Sequence, residues 1–334
     1  MAINTPTPTP ASAATEAPPL PLTTPAPTQS YVRMGYVFAA VGALLFSTKA
    51  VIIKLAYAET IDAETLLALR MAFSLPFYIA IGGLSIRDRK RSGQALPPAR
   101  QVAGAAAVGL LGYWFASYTD FLGLEYISAQ FERLILFTYP LFVVIFGAMF
   151  FRQPIRLRAV AAIGISYAGL AVIFSEKVST FGHDATLGAG LVLAAAISFA
   201  LYQLLAKDLI ATIGPRLFTC IAMSGAAVGA FAQFLFTHAP ADLIVTPTLY
   251  AYALLIAIGA TVLPSFFLNA ALHRISAQAN ATIGTLSPVM TILLAVLILG
   301  EKLTLIDVAG TALVLVGVGW FTLADQAARR RAGA

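Results

Sequence analysis

The sequence predicts an all-α membrane protein of ten transmembrane helices, arranged as two inverted five-helix repeats. Hydrophobic residues make up 59% of the 334 residues and charged residues only 11%, whereas soluble domains carry about 25% charged residues. Apolar runs of about 20 residues recur along the chain, enough to cross the roughly 30 Å hydrocarbon core of a bilayer. A short motif also recurs at a fixed distance, which indicates an internal repeat.

The apolar runs define the elements. Residues 1–32 are rich in Pro, Thr and Ala and lack the apolar core of a secretory signal, so we expect a disordered cytoplasmic tail. Residues 326–334 predict a basic cytoplasmic tail. Between these tails we predict helices at 35–57, 63–84, 99–123, 128–150, 157–174, 187–206, 216–236, 249–272, 277–299 and 303–324.

The distribution of Lys and Arg predicts the orientation. With a cytoplasmic N-terminus, 15 of these residues fall in inner segments and about three in outer ones. The largest inner group is the predicted loop after the second helix, residues 87–100. Because Lys and Arg collect in cytoplasmic loops, both termini are expected in the cytoplasm.

The internal repeat is the most informative pattern. The tetrapeptide ISAQ at 127–130 recurs at 275–278, a shift of 148 residues, and the same shift relates Pro140 to Pro288. Each copy holds five predicted helices, and because five is odd the copies must lie in opposite orientations. Inverted repeats are typical of secondary transporters, whose halves rock around a site at the repeat interface.

Two stretches resemble a known family: GLEYISAQFERLILFTYPLFVVIFGAMFFRQPI (123–155) and ALHRISAQANATIGTLSPVMTILLAVLILGEKLT (271–304). They are similar to the EamA-domain branch of the drug/metabolite transporter superfamily. The second stretch matches more closely, through its Ser-Pro pair and Leu-Gly-Glu-Lys-Leu, whereas the first has Arg-Gln-Pro in place of Gly-Glu. The resemblance implies EamA-like repeats at 33–177 and 185–325.

The resemblance implies a secondary transporter of small metabolites in a bacterial inner membrane, exporting amino acids or related organic solutes by alternating access. Coupling protons are possible partners. An importer of the same fold, a channel and an intramembrane enzyme remain alternatives. The sequence lacks a P-loop, an HExxH pair and a GxSxG elbow. We expect no cofactor, no metal and no nucleic-acid partner; the substrate and the oligomeric state stay open.

Charged residues inside predicted helices are the first candidates for the substrate pathway. Charge at the centre of a membrane costs about 2.5–3.5 kcal/mol on insertion scales and marks functional sites by default. Five such residues fall in the predicted outer half of the bilayer: Lys49, Arg70, Asp120, Glu132 and Arg133. The cations would attract a carboxylate or phosphate, and Asp120 or Glu132 would take a coupling proton. A structural salt-bridge network is the alternative.

Adjacent residues splay about 100° apart on a helix, so Glu132 and Arg133 are not expected simply to pair with each other. The polar and aromatic candidates for the same pathway are Trp114, Tyr118, Tyr139, Tyr202 and Asn269. Ordinary packing is the alternative for each of them.

The equivalent prolines Pro140 and Pro288 are predicted at mid-helix, where a proline removes a backbone hydrogen bond. They are candidates for a pair of hinges, and static packing kinks are the alternative.

Overall fold

The computed structural model describes residues 29–151, 183–272 and 286–332, together with positions 161, 164, 165, 167–173, 175, 176, 274 and 275. Across these ranges the chain is helical apart from short links, and none of these residues is in a β-strand. The all-α fold class predicted from composition is confirmed. Eight of the 18 residues of the predicted helix 157–174 lie outside the described ranges, as do the first part of the predicted helix 277–299 and residues 1–28.

Thirteen helices can be labelled in the described chain. They are α1 Gln29–Ser47, α2 Lys49–Tyr57, α3 Ala63–Arg91, α4 Ala99–Gly109, α5 Ala116–Tyr126, α6 Ala129–Leu136, α7 Tyr139–Phe151, α8 His183–Ile213, α9 Pro215–Thr237, α10 Pro247–Leu254, α11 Leu263–Leu272, α12 Leu286–Leu299 and α13 Leu305–Ala332. A π-helical segment, Leu110–Phe115, joins α4 to α5, and a second, Leu255–Val262, joins α10 to α11.

Several of these helices are long and apolar enough to cross a membrane. Among the described residues there are seven such spans: Gln29–Tyr57, Ala63–Arg91, Ala99–Tyr126, Ala129–Phe150, His183–Ile213, Pro215–Thr237 and Pro247–Leu268. Two shorter apolar helices follow, Ser287–Leu299 and Leu305–Gly317. The chain is therefore a multi-pass membrane protein.

The second span is longer than the sequence predicts. It was expected to end at residue 84, with the basic run in a loop, but α3 continues to Arg91 and ends when the Ser92 amide bonds to the Asp88 carbonyl. Arg89, Lys90 and Arg91 thus occupy the last turn of the helix. Cations are favourable there because the unpaired carbonyls give the helix C-terminus a partial negative charge.

Two of the predicted helices are interrupted. The predicted helix 35–57 breaks at Thr48, whose amide bonds to the Leu45 carbonyl only three residues back, so Lys49 begins α2. The predicted helix 128–150 breaks at residues 137 and 138, between α6 and α7.

The mid-helix placement of Pro140 is therefore wrong. Pro140 is the second residue of α7, directly after the break. A proline has no N–H to complete the ladder, and it is tolerated in the first turn of a helix, where that N–H would be unpaired in any case. Pro288 is the third residue of the described α12 and is buried.

Small residues bring the helices into close contact. α9 packs along α3 and α4, α5 packs against α8, and α1 packs against α11 and α12. A Cβ added to Gly109 on α4 would lie 2.0 Å from the Ala222 carbonyl oxygen on α9, and one added to Gly225 would lie 2.8 Å from the Ala106 carbonyl oxygen. Small residues at helix interfaces allow this approach of two backbones within a membrane.

Candidate functional site

A buried ion pair joins the first and third membrane spans. Lys49 Nζ on α2 lies 2.5 Å from Asp120 Oδ2 on α5, and both side chains are almost fully shielded from solvent. The Lys49 ammonium also lies 5.2 Å from the centre of the Phe46 ring. Two charges that leave water need such a partner, because an unpaired buried charge is strongly destabilising.

Glu132 and Arg133 on α6 extend this pair into a four-residue charge cluster. Arg133 Nε lies 3.7 Å from Glu132 Oε2, so the expectation that these neighbours do not pair is wrong. The long Arg133 side chain can fold back along the helix, which the angle between adjacent positions does not take into account. The Arg133 guanidinium also lies over the Phe46 ring at 5.4 Å and donates to the Phe46 carbonyl at 3.4 Å.

Two acids and two bases therefore meet in one buried place, which we term the charge quartet: Lys49, Asp120, Glu132 and Arg133. Lys49, Asp120 and Arg133 all interact electrostatically with the Glu132 carboxyl. Nevertheless, both Glu132 oxygens and Asp120 Oδ1 lack a hydrogen-bond donor within the described chain. A buried polar atom without a partner is uncommon and calls for a physical explanation.

A hydroxyl pair lies at the break between α1 and α2, next to the quartet in sequence. Ser47 Oγ donates to Ser287 Oγ at 2.9 Å, and Thr291 Oγ1 donates to the Ser47 carbonyl at 2.9 Å. These bonds attach the break to α12, in the turn that contains Pro288. Sequence reasoning did not find these three residues, because Ser and Thr are common in apolar helices and carry no charge to distinguish them.

Arg70 on α3 lies apart from the ion pairs of the quartet. The side chain is buried, its guanidinium lies 5.0 Å from the centre of the Phe121 ring, and Nη2 is 3.5 Å from the Tyr113 carbonyl oxygen. Tyr113 belongs to the first π-helical segment. Among the described residues no carboxylate lies within 4.0 Å of this guanidinium, and Arg70 Nε has no hydrogen-bond partner.

The aromatic candidates do not form a single wall around the quartet. Trp114 Nε1 donates to Gln233 Oε1 at 2.7 Å, and the Tyr118 hydroxyl donates to Glu64 Oε1 at 3.0 Å. These two contacts satisfy polar tips that would otherwise be unpaired inside a membrane protein.

Tyr139 and Tyr202 belong to a different group. Their rings lie 5.1 and 5.6 Å from that of Phe199, and the Tyr202 hydroxyl donates to the Tyr113 hydroxyl at 3.0 Å. The group therefore approaches Arg70 through Tyr113. The side chain of Asn269 lies outside the described part of the structure.

One end of the molecule is held by polar contacts between segments far apart in sequence. Glu301 accepts hydrogen bonds from the amides of Ala129 and Gln130, at 2.8 and 3.3 Å, at the start of α6. Glu125 accepts from the Ala63 amide at the start of α3, at 2.9 Å. Both carboxylates interact electrostatically with Lys54. Carboxylates at helix N-termini satisfy free amides and complement the helix dipole.

Possible metal ligands are dispersed over the described part of the chain. Across the described ranges, no three His, Cys, Asp or Glu residues cluster in a way that could hold a metal ion. Cys220, the single cysteine of the chain, is buried within α9.

Comparison with known proteins identifies the family. The sequence model of the EamA-like transporter family matches residues 33–175 and 186–323. The uncharacterized transporter YcbK of Bacillus subtilis (strain 168) is 30% identical over 301 residues, covering 85% of this chain and 92% of that protein.

More distant proteins agree with this assignment. An uncharacterized transporter of Archaeoglobus fulgidus is 26% identical over 217 residues, covering 64% of this chain and 74% of that protein. A solved crystal structure, at 19% identity, superposes with a TM-score of 0.60 over 89% of this chain and 98% of its own, which supports the fold alone. The family resemblance predicted from the sequence is confirmed: this chain is a membrane transporter of the EamA-like transporter family.

Proposed function

We propose that the chain is a secondary transporter that exports amino acids or related small organic solutes by alternating access around the charge quartet. It would work as ten transmembrane helices in two inverted five-helix repeats, 33–177 and 185–325. It would reside in a cell inner membrane with both termini in the cytoplasm. Family membership and the arrangement of the quartet support this proposal.

The observation that carries the proposal is the incomplete hydrogen bonding of a fully buried carboxyl group. Glu132 has no exposed surface, and neither of its oxygens accepts a hydrogen bond within the described chain. A network that served only to hold helices together would be expected to satisfy its buried polar atoms. Unpaired oxygens fit a group that changes partners or takes up a proton during a transport cycle.

The quartet offers a physical route to proton coupling. When Asp120 and Glu132 are both ionised, their oxygens can only accept hydrogen bonds, which leaves Glu132 without a donor. The two carboxyl groups interact directly, so a proton on either one would let them share a hydrogen bond. Lys49 and Arg133 balance two ionised acids, so uptake of one proton leaves a net positive charge that attracts an anion. A proton and an anionic group could thus bind in a linked manner.

The helix interruptions beside the quartet favour alternating access. α1 ends two residues before Lys49, and α6 ends three residues after Arg133. Broken helices at such sites allow one part of a span to move while the rest stays packed. Non-helical backbone at membrane depth is tolerated where it is buried in protein or lines a cavity.

The test is solute flux in proteoliposomes that contain the full-length protein. Labelled amino acids, organic anions and cationic drugs would be offered as a panel, with counterflow as the readout. Saturable uptake that is accelerated by unlabelled solute on the opposite side would support a carrier. Flux that rises linearly with concentration and shows no counterflow would instead favour a channel, and chemical conversion of a solute would favour an enzyme. Counterflow from one face only, in oriented vesicles with a pH gradient, would decide between export and import.

A further inference from the structure

Arg70 is a buried cation whose charge the described chain does not neutralise. Only 3% of its surface is exposed, and within the described chain its guanidinium donates to a neutral carbonyl oxygen, that of Tyr113, at the long distance of 3.5 Å. Its Nε atom donates to nothing within the described ranges. Burial of an ionised group without a counter-charge costs several kcal/mol, so this position favours the arrival of an anion.

The nearby carboxylates are already engaged. Asp120 interacts with Arg70 over a longer range, but its Oδ2 is in direct contact with Lys49 Nζ. Glu132 is paired with Arg133 in the same cluster. The quartet therefore balances two cations with two acids, and within the described ranges Arg70 is left as a fifth charge without an ion-pair partner.

The surroundings of Arg70 are aromatic and hydroxylic. The Phe121 ring lies under its guanidinium at 5.0 Å, and the Tyr113 ring packs edge-on against Tyr202 at 4.9 Å. Tyr78, which interacts electrostatically with Arg70, shares a hydrogen bond of 3.0 Å with Ser265. Aromatic walls with a few fixed polar groups are typical of sites for small organic molecules.

The backbone at this position is also irregular. Tyr113 lies in the π-helical segment Leu110–Phe115, and α3 packs against the second π-helical segment, Leu255–Val262. Such π-helical turns within α-helices are frequent at functional sites, because the wider turn redirects side chains and frees carbonyl groups.

We propose that Arg70 is the anion-binding residue of the transporter, and that it takes the carboxylate of a small organic monoanion with an aromatic or apolar body. Lys49, which would otherwise compete for this role, is held by Asp120. The guanidinium presents a rigid fork of donors that matches the two carboxylate oxygens. The inference rests on the proposed transport function and assigns the chemical class of its substrate.

The test is direct binding of matched acid and amide probes to the purified full-length protein in detergent. N-acetylphenylalanine is a monoanion at neutral pH, and N-acetylphenylalaninamide has the same body without the charge. Equilibrium dialysis is expected to give about tenfold or tighter binding of the acid, since hydrogen bonds to charged groups are the strong ones. The wild-type comparison requires no variant, so it does not depend on whether a variant folds.

Variants then assign the preference to a residue. Arg70→Met is expected to bind acid and amide equally, Arg70→Lys to keep part of the preference, and Lys302→Ala, at an exposed position, to keep it in full. Equal binding of both probes by the wild type, binding of neither, or an unchanged preference in Arg70→Met would overturn the proposal. In that case, saturable counterflow of other solutes would still support the proposed transport function. Absence of saturable counterflow across the whole panel would contradict the proposed function itself.

Discussion

Lys49 Nζ and Asp120 Oδ2 meet at 2.5 Å in the interior of the bundle, joining the beginning of α2 to the middle of α5. The contact links residues 71 positions apart in the chain. It also begins the charge quartet, because Asp120 interacts in turn with Glu132 and Arg133. Four charges that a lipid environment would exclude are thus stable only together.

Removal of one partner of this pair should destabilise the fold more than removal of both. Lys49→Met leaves Asp120 buried without its counter-ion, and such changes cost about 3–5 kcal/mol. The double variant Lys49→Met/Asp120→Asn should recover a large part of that loss, because no uncompensated charge remains. Thermal unfolding in detergent measures the loss of stability in the single variant and its recovery in the double variant. A single variant as stable as the wild type would show that the pair contributes nothing to the fold.

Close packing of α4 on α9 predicts a strong difference between two glycines. Gly109→Ala would place a methyl group 2.0 Å from the Ala222 carbonyl oxygen, and overpacking of this kind costs about 1–3 kcal/mol or more. Gly83 on α3 has no other atom within 4 Å of its added Cβ, so Gly83→Ala is the matched control. It should leave stability unchanged or raise it by up to about 1 kcal/mol, through helix propensity. Equal melting temperatures for the two variants would contradict the packing of α4 on α9.

The contact of Glu301 with the start of α6 predicts a moderate loss of stability. Glu301→Ala removes the acceptor for the Ala129 and Gln130 amides, and loss of a helix N-terminal acceptor costs about 0.5–2 kcal/mol. Lys302→Ala, at the neighbouring exposed position, is the control and should have little effect. The difference in unfolding temperature between the two variants is the measurement, and no difference would mean that the cap does not form.

Asp62 predicts a pH-dependent contribution to stability at the start of α3. Burial of the carboxylate acts to raise its pKa, but hydrogen bonds from the Thr65 amide and hydroxyl and the proximity of His238 outweigh burial, so the net pKa is lowered. A lowered pKa in the folded state means that the stabilisation is complete above the unfolded value of about 3.9 and is lost as the pH falls through the folded value.

The matching experiment compares the wild type with Asp62→Ala. At pH 7 the variant should be less stable by about 1 kcal/mol, through loss of the helix cap. Below about pH 4, where the Asp62 carboxyl takes up a proton, the difference should shrink. A difference that grows as the pH falls below about 4 would have the wrong sign for this interaction.

Composition and periodicity were sufficient to predict the fold class, because burial in lipid demands long apolar helices whatever their contacts. The same reasoning found the members of the quartet, since a charge such as Lys49 or Glu132 is conspicuous in an apolar run. Which charges pair was not predictable, and the contact between Glu132 and Arg133 was excluded wrongly. Side-chain reach, rather than helical position, decides that contact.

Backbone irregularities were the features that sequence reasoning missed. The break at Thr48 and the two π-helical segments depend on which carbonyl oxygen accepts the hydrogen bond of each backbone amide. Hydropathy carries no information about these hydrogen-bond partners. Pro140 indicated that the helix is irregular near this position. The irregularity is a break in the helix before the proline, however, and not a kink at the proline. The cap by Glu301 joins residues 172 positions apart, and no local pattern predicts it.

Glu132 offers the most direct test of the transport role assigned to the quartet. Glu132→Gln keeps the shape of the side chain and removes its ability to ionise. Because the change also leaves the buried Arg133 guanidinium without its carboxylate partner, the variant is expected to unfold at a lower temperature than the wild type. Counterflow and proton-gradient dependence would be measured in proteoliposomes for the wild type and this variant, with Lys302→Ala as the surface control. We predict that the variant, measured at a temperature at which it remains folded, has lost counterflow or its response to the pH gradient. A variant that transports as the wild type does, with the same pH response, would contradict the role of the quartet in the transport cycle.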